Sequence, residues 1–207
     1  SQLDAVLREE MKVYIKKLQE ELAITTIHVT HDQTEAQAMG DRIVVMDLGV
    51  IQQIGTPQEV YNNPVNLFVA GFIGNPSMNL ISGELSREEG KFFLVSKEVK
   101  IPIPPKLGKK LEKGNITGEI VLGIRPEHIF LFPEAIQGSV EAEIIEVLPQ
   151  NNEFIIDLNC DSFSFKVRKD KEVLGFYPQV GQKSWFALNE EKTYFFDKET
   201  TRRIELP

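Results

Sequence analysis

Two histidines lie three residues apart, His28 and His31, at the end of a β-branched run and directly before a helix-like stretch. The imidazole of a histidine at the end of a strand can donate a hydrogen bond to a phosphate oxygen and orient an attacking water molecule. Residues three apart in a strand point to opposite faces, which argues against a shared metal ion. His28 lies inside the apolar run, where a half-buried structural role is expected. His31 is therefore the candidate for chemistry.

The elements that would position His31 follow from local patterns. Apolar residues at steps of three and four predict an amphipathic helix over 3–22, and the β-branched residues 24–30 (ITTIHVT) predict a buried strand. Residues 32–39 favour a short helix that ends at Gly40. His31 is thus expected where a strand gives way to a helix, and ligands of open α/β sheets bind at the carboxyl ends of strands.

The pattern of the chain changes after Gly74-Asn75-Pro76. Before this point there is a hairpin pattern around Asp47-Leu48-Gly49 and a capping box in Thr56-Pro57-Gln58-Glu59. From Leu80 onward, short alternating segments are separated by Gly, Pro and Asn, which is typical of an all-β barrel. The predicted fold is therefore an α/β part over 1–75 followed by an all-β, OB-like barrel domain over 76–207.

Composition excludes several classes of protein. The net charge of −8 argues against a surface that neutralises nucleic-acid phosphates, and a single cysteine excludes an intrachain disulfide and fits a reducing compartment. No apolar run approaches the ~20 residues that span a bilayer. The charged N-terminus predicts no signal peptide, and because the chain begins at Ser1 without methionine we expect a piece of a longer protein.

The sequence contains no self-sufficient active site. It has no G-x-x-x-x-G-K-[ST] phosphate loop, no nucleophile elbow and no zinc-ligand spacing, so no metal ligands are predicted. On position alone, His31 would be a capping or solvent-facing residue.

Longer motifs change this interpretation. "SQLDAVLREE" and "TTIHVTHDQTEAQAMGDRIVVMDLGVIQQIGTPQEVYNNP" resemble the D-loop and the switch-histidine loop of ABC transporter ATP-binding subunits. "NLISGEL", "LGIRPEHI" and "FFDKETTRRI" resemble the transport-associated OB-type domain of the maltose-importer type. The resemblance covers almost the whole chain and implies a subunit of a sugar importer.

The resemblance implies roles for particular residues. His31 would contact the γ-phosphate of ATP, with Asp32 and Gln33 as its switch-loop neighbours. The D-loop residues at the nucleotide and dimer interface would be Ser1, Leu3 and Asp4. In the family, the phosphate loop, the Walker B strand and the catalytic glutamate precede the D-loop. This chain is therefore expected to be an inactive C-terminal fragment that binds no cofactor.

The full-length subunit is expected to use ATP and Mg²⁺ and to form a homodimer. It would drive transmembrane permease subunits, and indirectly a solute-binding protein, from the cytoplasmic face of the cell membrane. The transported solute stays open, although the G-I-R-P-E-H-I motif resembles carbohydrate importers.

The β domain admits an alternative function, a stand-alone dimerisation, regulatory or small-ligand-binding module. Its charged turn at Arg125, Pro126 and Glu127 could be a regulatory site, but a structural corner in which Arg125 pairs with a carboxylate is preferred. The lysines between 106 and 113 are interpreted as a solvated face. Aromatic residues such as Phe163 and Phe165 alternate with polar residues as in a core strand, so no nucleic-acid partner is expected.

Overall fold

A computed structural model describes residues 2–161 and 163–207, without the side chains of 2–6, 8 and 9. The chain forms two compact units, Ser1–Asn63 and Pro64–Pro207. Within the described residues, no helix is long and apolar enough to cross a membrane.

The N-terminal unit contains three helices and one hairpin. The strands pair in antiparallel fashion, and the third helix begins with the predicted capping box between Thr56 and Glu59. The elements are α1 (Gln2–Leu22), α2 (Gln33–Met39), β1 (Ile43–Asp47), β2 (Val50–Gly55) and α3 (Pro57–Asn62).

The predicted buried strand over 24–30 is wrong. The segment is not part of any sheet among the described residues, and the side chains of Ile27 and Val29 are 88% and 90% exposed. β-branched residues favour an extended backbone, but a strand also needs a neighbour that accepts and donates its backbone hydrogen bonds. The apolar stripe of α1 is also exposed, including Met11, Tyr14 and Leu18.

The C-terminal unit contains two antiparallel five-stranded sheets. The first sheet has the strand order β12-β6-β3-β4-β5, and the second has the order β10-β9-β8-β11-β7. Their bounds are β3 (Asn79–Glu88), β4 (Lys91–Ser96), β5 (Val99–Pro102), β6 (Gly118–Ile124), β7 (Ile129–Phe132), β8 (Val140–Gln150), β9 (Glu153–Cys160), β10 (Phe163–Asp170), β11 (Lys183–Leu188) and β12 (Thr193–Asp197). The helices are α4 (Leu67–Phe72), α5 (Pro105–Lys113) and α6 (Lys171–Leu174).

Both sheets contribute to one hydrophobic core. Leu94 and Leu122 from the first sheet and Ile144, Ile156 and Phe186 from the second are almost completely buried in it. The burial of alternate residues follows from the two-residue period of a strand. The prediction that the C-terminal part of the chain is mostly β-sheet is confirmed, whereas the predicted α/β fold of the part over 1–75 stays a prediction.

The segment between Pro64 and Asn75 packs within the C-terminal unit, twelve residues before the predicted boundary. Leu67 donates its backbone N–H to the carbonyl oxygen of Thr201 at 2.9 Å, and Ala70 is buried against Val121 and Phe196. These contacts join residues that are far apart in the sequence, so the change in local sequence pattern after residue 75 could not indicate them. The assignment of 1–75 and 76–207 to two functional domains stays a prediction.

Candidate functional site

His31 lies at an exposed position between segment 24–30 and helix α2. Asp32 is the N-cap of this helix, and its Oδ1 accepts hydrogen bonds from the backbone N–H groups of Thr34 (2.8 Å) and Glu35 (3.1 Å). This is a standard N-cap, in which a side-chain oxygen satisfies the first free amides of a helix. The bond from the Glu35 amide is the main cause of the lowered pKa of the Asp32 carboxyl.

A second set of hydrogen bonds lies on the other side of His31. Thr30 Oγ1 donates to Glu35 Oε2 at 2.5 Å and accepts from the backbone N–H of Asp32 at 3.0 Å. His28 Nε2 lies 3.6 Å from the same Glu35 oxygen. The Thr30 hydroxyl is the main cause of the lowered pKa of Glu35, with further contributions from His28. The glutamate is therefore a carboxylate at neutral pH.

Thr30 and Glu35 were not among the residues that the sequence indicated as functional. The available signal was an acidic residue three positions after the helix cap, which is the spacing of a capping box. In this structure the Glu35 carboxylate instead accepts from Thr30, five residues earlier. His28, interpreted as structural from the sequence, belongs to this polar group, and its side chain is 44% exposed.

The other residues assigned to the nucleotide site are only partly described. Ser1 lies outside the described residues, and the side chains of Leu3 and Asp4, in α1, are also outside them. Gln33 is the first residue of α2 and is partly buried. The roles given to these residues stay predictions. Among the described residues, no group of three or more His, Cys, Asp or Glu side chains could hold a metal ion.

The charged turn of the C-terminal unit lies inside the fold. Arg125 is 1% exposed and donates from Nη1 to the backbone carbonyl oxygen of Ile73. Residues Pro126–His128 form a single 3-10 turn in which the His128 amide donates to the Arg125 carbonyl at 3.0 Å. Arg125 therefore joins two distant parts of the chain, as a structural corner would.

Two titratable side chains, Lys169 and His128, lie at this turn. Lys169 Nζ donates to the Glu127 carbonyl oxygen at 2.8 Å and lies 5.6 Å from the centre of the Phe130 ring. Burial lowers the pKa of both Lys169 and His128. A neutral His128 is accordingly favoured near neutral pH.

A surface groove of about 280 Å³ lies beside α5 and carries charges of both signs. Lys106 at its edge is 80% exposed and forms an ion pair with Glu190 at 2.9 Å. Arg203 stacks over the ring of Tyr194, 4.9 Å from its centre. Because cations and carboxylates alternate along the groove, it has no strong preference for an anion.

The chain is similar to the ATP-binding subunits of ABC importers. Residues 74–129 match the MalK OB fold domain family. The chain is 42% identical over 208 residues to the oligosaccharides import ATP-binding protein MsmX of Bacillus subtilis. The matched region covers 99% of this chain and 55% of MsmX.

Two further relatives give the same result. The ABC transporter ATP-binding protein YurJ of Bacillus subtilis is 39% identical over 212 residues, covering 99% of this chain and 56% of YurJ. The trehalose/maltose import ATP-binding protein MalK of Thermococcus litoralis is 39% identical over 214 residues, covering 99% of this chain and 55% of that protein. The chain spans about half the length of these relatives. The resemblance to sugar-importer ATP-binding subunits is confirmed.

Proposed function

We propose that this chain is the C-terminal part of the ATP-hydrolysing subunit of an ABC importer. Residues 1–75 would be the end of the nucleotide-binding domain, and 76–207 an OB-like regulatory domain. The similarity over 99% of this chain to about half of each relative carries the proposal. The exposed segment 24–30 supports it, because a β-branched stretch with Ile27 and Val29 almost fully exposed has the composition of an interior strand.

The solute is proposed to be a carbohydrate. MsmX is named for oligosaccharide import and the Thermococcus relative for trehalose and maltose import. The ATP-binding subunit would work from the cytoplasmic face of the membrane as a homodimer on two permease subunits, with a solute-binding protein acting on the outer side.

His31 is proposed to act on the γ-phosphate of ATP in the intact subunit. Its imidazole would donate a hydrogen bond to a phosphate oxygen and orient the attacking water, because phosphoryl transfer depends mainly on positioning and charge stabilisation. Asp32 caps the helix that follows, and Gln33 begins it. The D-loop residues Ser1, Leu3 and Asp4 would lie at the dimer interface. Mg²⁺ and the phosphates would be held by residues that this chain does not contain.

Replacing His31 in the intact subunit tests this role. We expect His31→Ala to lower ATP turnover by ~10²–10³-fold, the loss typical of a key electrostatic donor. Its affinity for ATP, measured by calorimetry, should stay within about threefold of the wild type, a free-energy change of under ~1 kcal/mol. The matched control is His128→Gln in the C-terminal unit, which should keep normal turnover. Near-normal turnover of His31→Ala would contradict the assignment.

The 207-residue chain itself should neither bind Mg-ATP with micromolar affinity nor release phosphate above a buffer blank. The reason is that the sequence contains no phosphate-binding loop. Calorimetric titration and a phosphate-release assay measure the two properties. Micromolar binding would show that the residues present are sufficient for a nucleotide site.

A second candidate function, a dimerisation module, is favoured by apolar side chains at the surface of the C-terminal unit. Val173, Tyr177 and Val180 are 67–77% exposed, and apolar surface of this kind can be buried against a second chain. We expect the chain to form a two-fold dimer, in which each copy uses the same surface. Light scattering after gel filtration should give about twice the 23.5 kDa monomer mass. A dimer that persists in 64–207 would place the interface in the C-terminal unit, and a monomer at micromolar concentrations would exclude it.

A further inference from the structure

The side chains of the residues on both sides of His31 are hydrogen-bonded to one residue, Glu35. The residue before His31, Thr30, donates its hydroxyl to Glu35 Oε2 at 2.5 Å. The residue after it, Asp32, accepts the backbone N–H of Glu35 at 3.1 Å. A third bond, from the Asp32 amide to Thr30 Oγ1 at 3.0 Å, closes the loop across His31 itself. Each of these bonds restricts the backbone angles of the turn that carries the imidazole.

The side chain of His28 also lies next to Glu35. Its Nε2 lies 3.6 Å from Glu35 Oε2, the oxygen that Thr30 also reaches. Glu35 therefore contacts two side chains of the segment before His31, and its own side chain is 19% exposed, while His31 is exposed.

Other charged groups also act on this cluster. Lys12, from α1, is the remaining cation whose charge favours the carboxylate forms of both Asp32 and Glu35. His31 contributes in the same direction to Asp32. The carboxylate of Glu35 can only accept hydrogen bonds, which suits it to hold the Thr30 hydroxyl and a His28 N–H at the same time.

We propose that Glu35, together with Thr30 and His28, positions His31 for its action on the nucleotide, an inference that rests on the proposed function. A group that orients a phosphate or water has to be held within ~0.5 Å, and a hydrogen-bonded second layer supplies that precision. In this proposal these three residues act through His31 and form no bond to the nucleotide themselves. Their loss should therefore reduce turnover and leave the binding of ATP unchanged.

The first test uses the chain of 207 residues and needs no activity. Thr30→Val keeps the shape of the side chain but removes the hydroxyl, whereas Thr30→Ser keeps the hydroxyl and is the matched control. We expect amide hydrogen exchange at Asp32 to be about three- to tenfold faster in Thr30→Val and unchanged in Thr30→Ser. Equal exchange in all three proteins would overturn the hydrogen-bonded loop on which the inference depends.

The second test uses the intact subunit and separates kcat from KM. We expect Thr30→Val and Glu35→Ala to lower kcat by about ten- to a hundredfold, as a misplaced catalytic group does, with KM for ATP within about twofold. Thr30→Ser and Glu35→Gln, which keep a donor and an acceptor at these positions, should retain at least about half of the wild-type kcat. Unchanged kcat in Thr30→Val, or an equal loss in Thr30→Ser, would overturn the proposal.

A double variant distinguishes failure of this inference from failure of the proposed function. If Thr30 acts through His31, Thr30→Val should cause no further loss of turnover in a His31→Ala background. A multiplicative further loss would show that Thr30 acts by another route and would overturn the inference. If His31→Ala alone keeps normal turnover, the proposed function fails, even where the exchange experiment confirms the loop.

Discussion

Asn79 joins the two sheets of the C-terminal unit, and its replacement should measurably lower the free energy of unfolding. Its Nδ2 donates to the carbonyl oxygen of Lys166 at 2.8 Å, and its Oδ1 accepts the backbone N–H of Lys166 at 2.8 Å. Asn79 begins β3 in the first sheet, whereas Lys166 lies in β10, an edge strand of the second. The side-chain amide thus takes the place of a neighbouring strand for one residue of that edge.

The magnitude follows from the two hydrogen bonds. Each intramolecular hydrogen bond contributes ~1 kcal/mol net, and leaving the partner groups of Lys166 beside an apolar side chain adds to the loss. We therefore expect Asn79→Leu to reduce the free energy of unfolding by about 2–3 kcal/mol. Asn79→Asp keeps the acceptor but places a second carboxylate oxygen against the Lys166 carbonyl oxygen, so its loss should be at least as large.

Urea denaturation followed by tryptophan fluorescence provides the assay. The single tryptophan, Trp185, lies in β11, in the same sheet as Lys166, so its emission reports the unfolding of this unit. The midpoint should fall while the slope with urea stays constant. Gln137→Leu, at an exposed position, is the control for an added surface leucine. An Asn79→Leu protein within ~0.5 kcal/mol of the wild type would refute the reasoning, since changes of that size are typical of neutral surface sites.

Three further predictions concern the same unit. Gly83→Ala would place a Cβ 2.7 Å from the backbone oxygen of Val95 and should cost about 1–3 kcal/mol in the urea assay, whereas Gly71→Ala meets its nearest neighbour only at 3.5 Å and should be nearly neutral. Burial raises the pKa of Cys160 to about 11, so Ellman's reagent at pH 8 should react far more slowly with the native chain than with the unfolded chain. Burial lowers the pKa of His128, so the unfolded chain binds this proton more readily, and stability should fall as pH drops from about 6.5 through the lower native pKa. His128→Gln should remove that part of the pH dependence in urea titrations.

Features that depend on residues close in sequence were predictable. The capping box at Thr56 is confirmed in both directions, since the Thr56 amide donates to Glu59 Oε2 at 2.7 Å and the Glu59 amide donates to Thr56 Oγ1 at 3.2 Å. The predicted hairpin around Leu48 and Gly49 is also confirmed. Both residues have positive φ angles, as a tight turn requires. In these cases the residues that define the pattern are also the residues that make the contacts.

Features that depend on distant residues were not predictable from local patterns. The bond between Asn79 and Lys166 joins residues 87 positions apart, and no spacing rule connects them. The strand predicted over 24–30 failed for the related reason that pairing depends on a second segment of chain. The composition of this stretch is typical of a buried strand, but pairing and burial are properties of the assembled sheet.

Arg125 shows how a contact between distant residues gives a buried cation a structural role. The sequence suggested a structural corner with a carboxylate as the partner of Arg125, and that pairing stays a prediction. In the structure this guanidinium donates to the backbone carbonyl of Ile73, at the end of α4, 52 residues earlier. A helix leaves its last carbonyl groups without partners inside the helix, and a buried cation is well suited to satisfy one next to that end. The arginine therefore anchors the segment 64–73 to the β-sheets, which explains physically why this segment belongs to the C-terminal unit and not to the unit that precedes it.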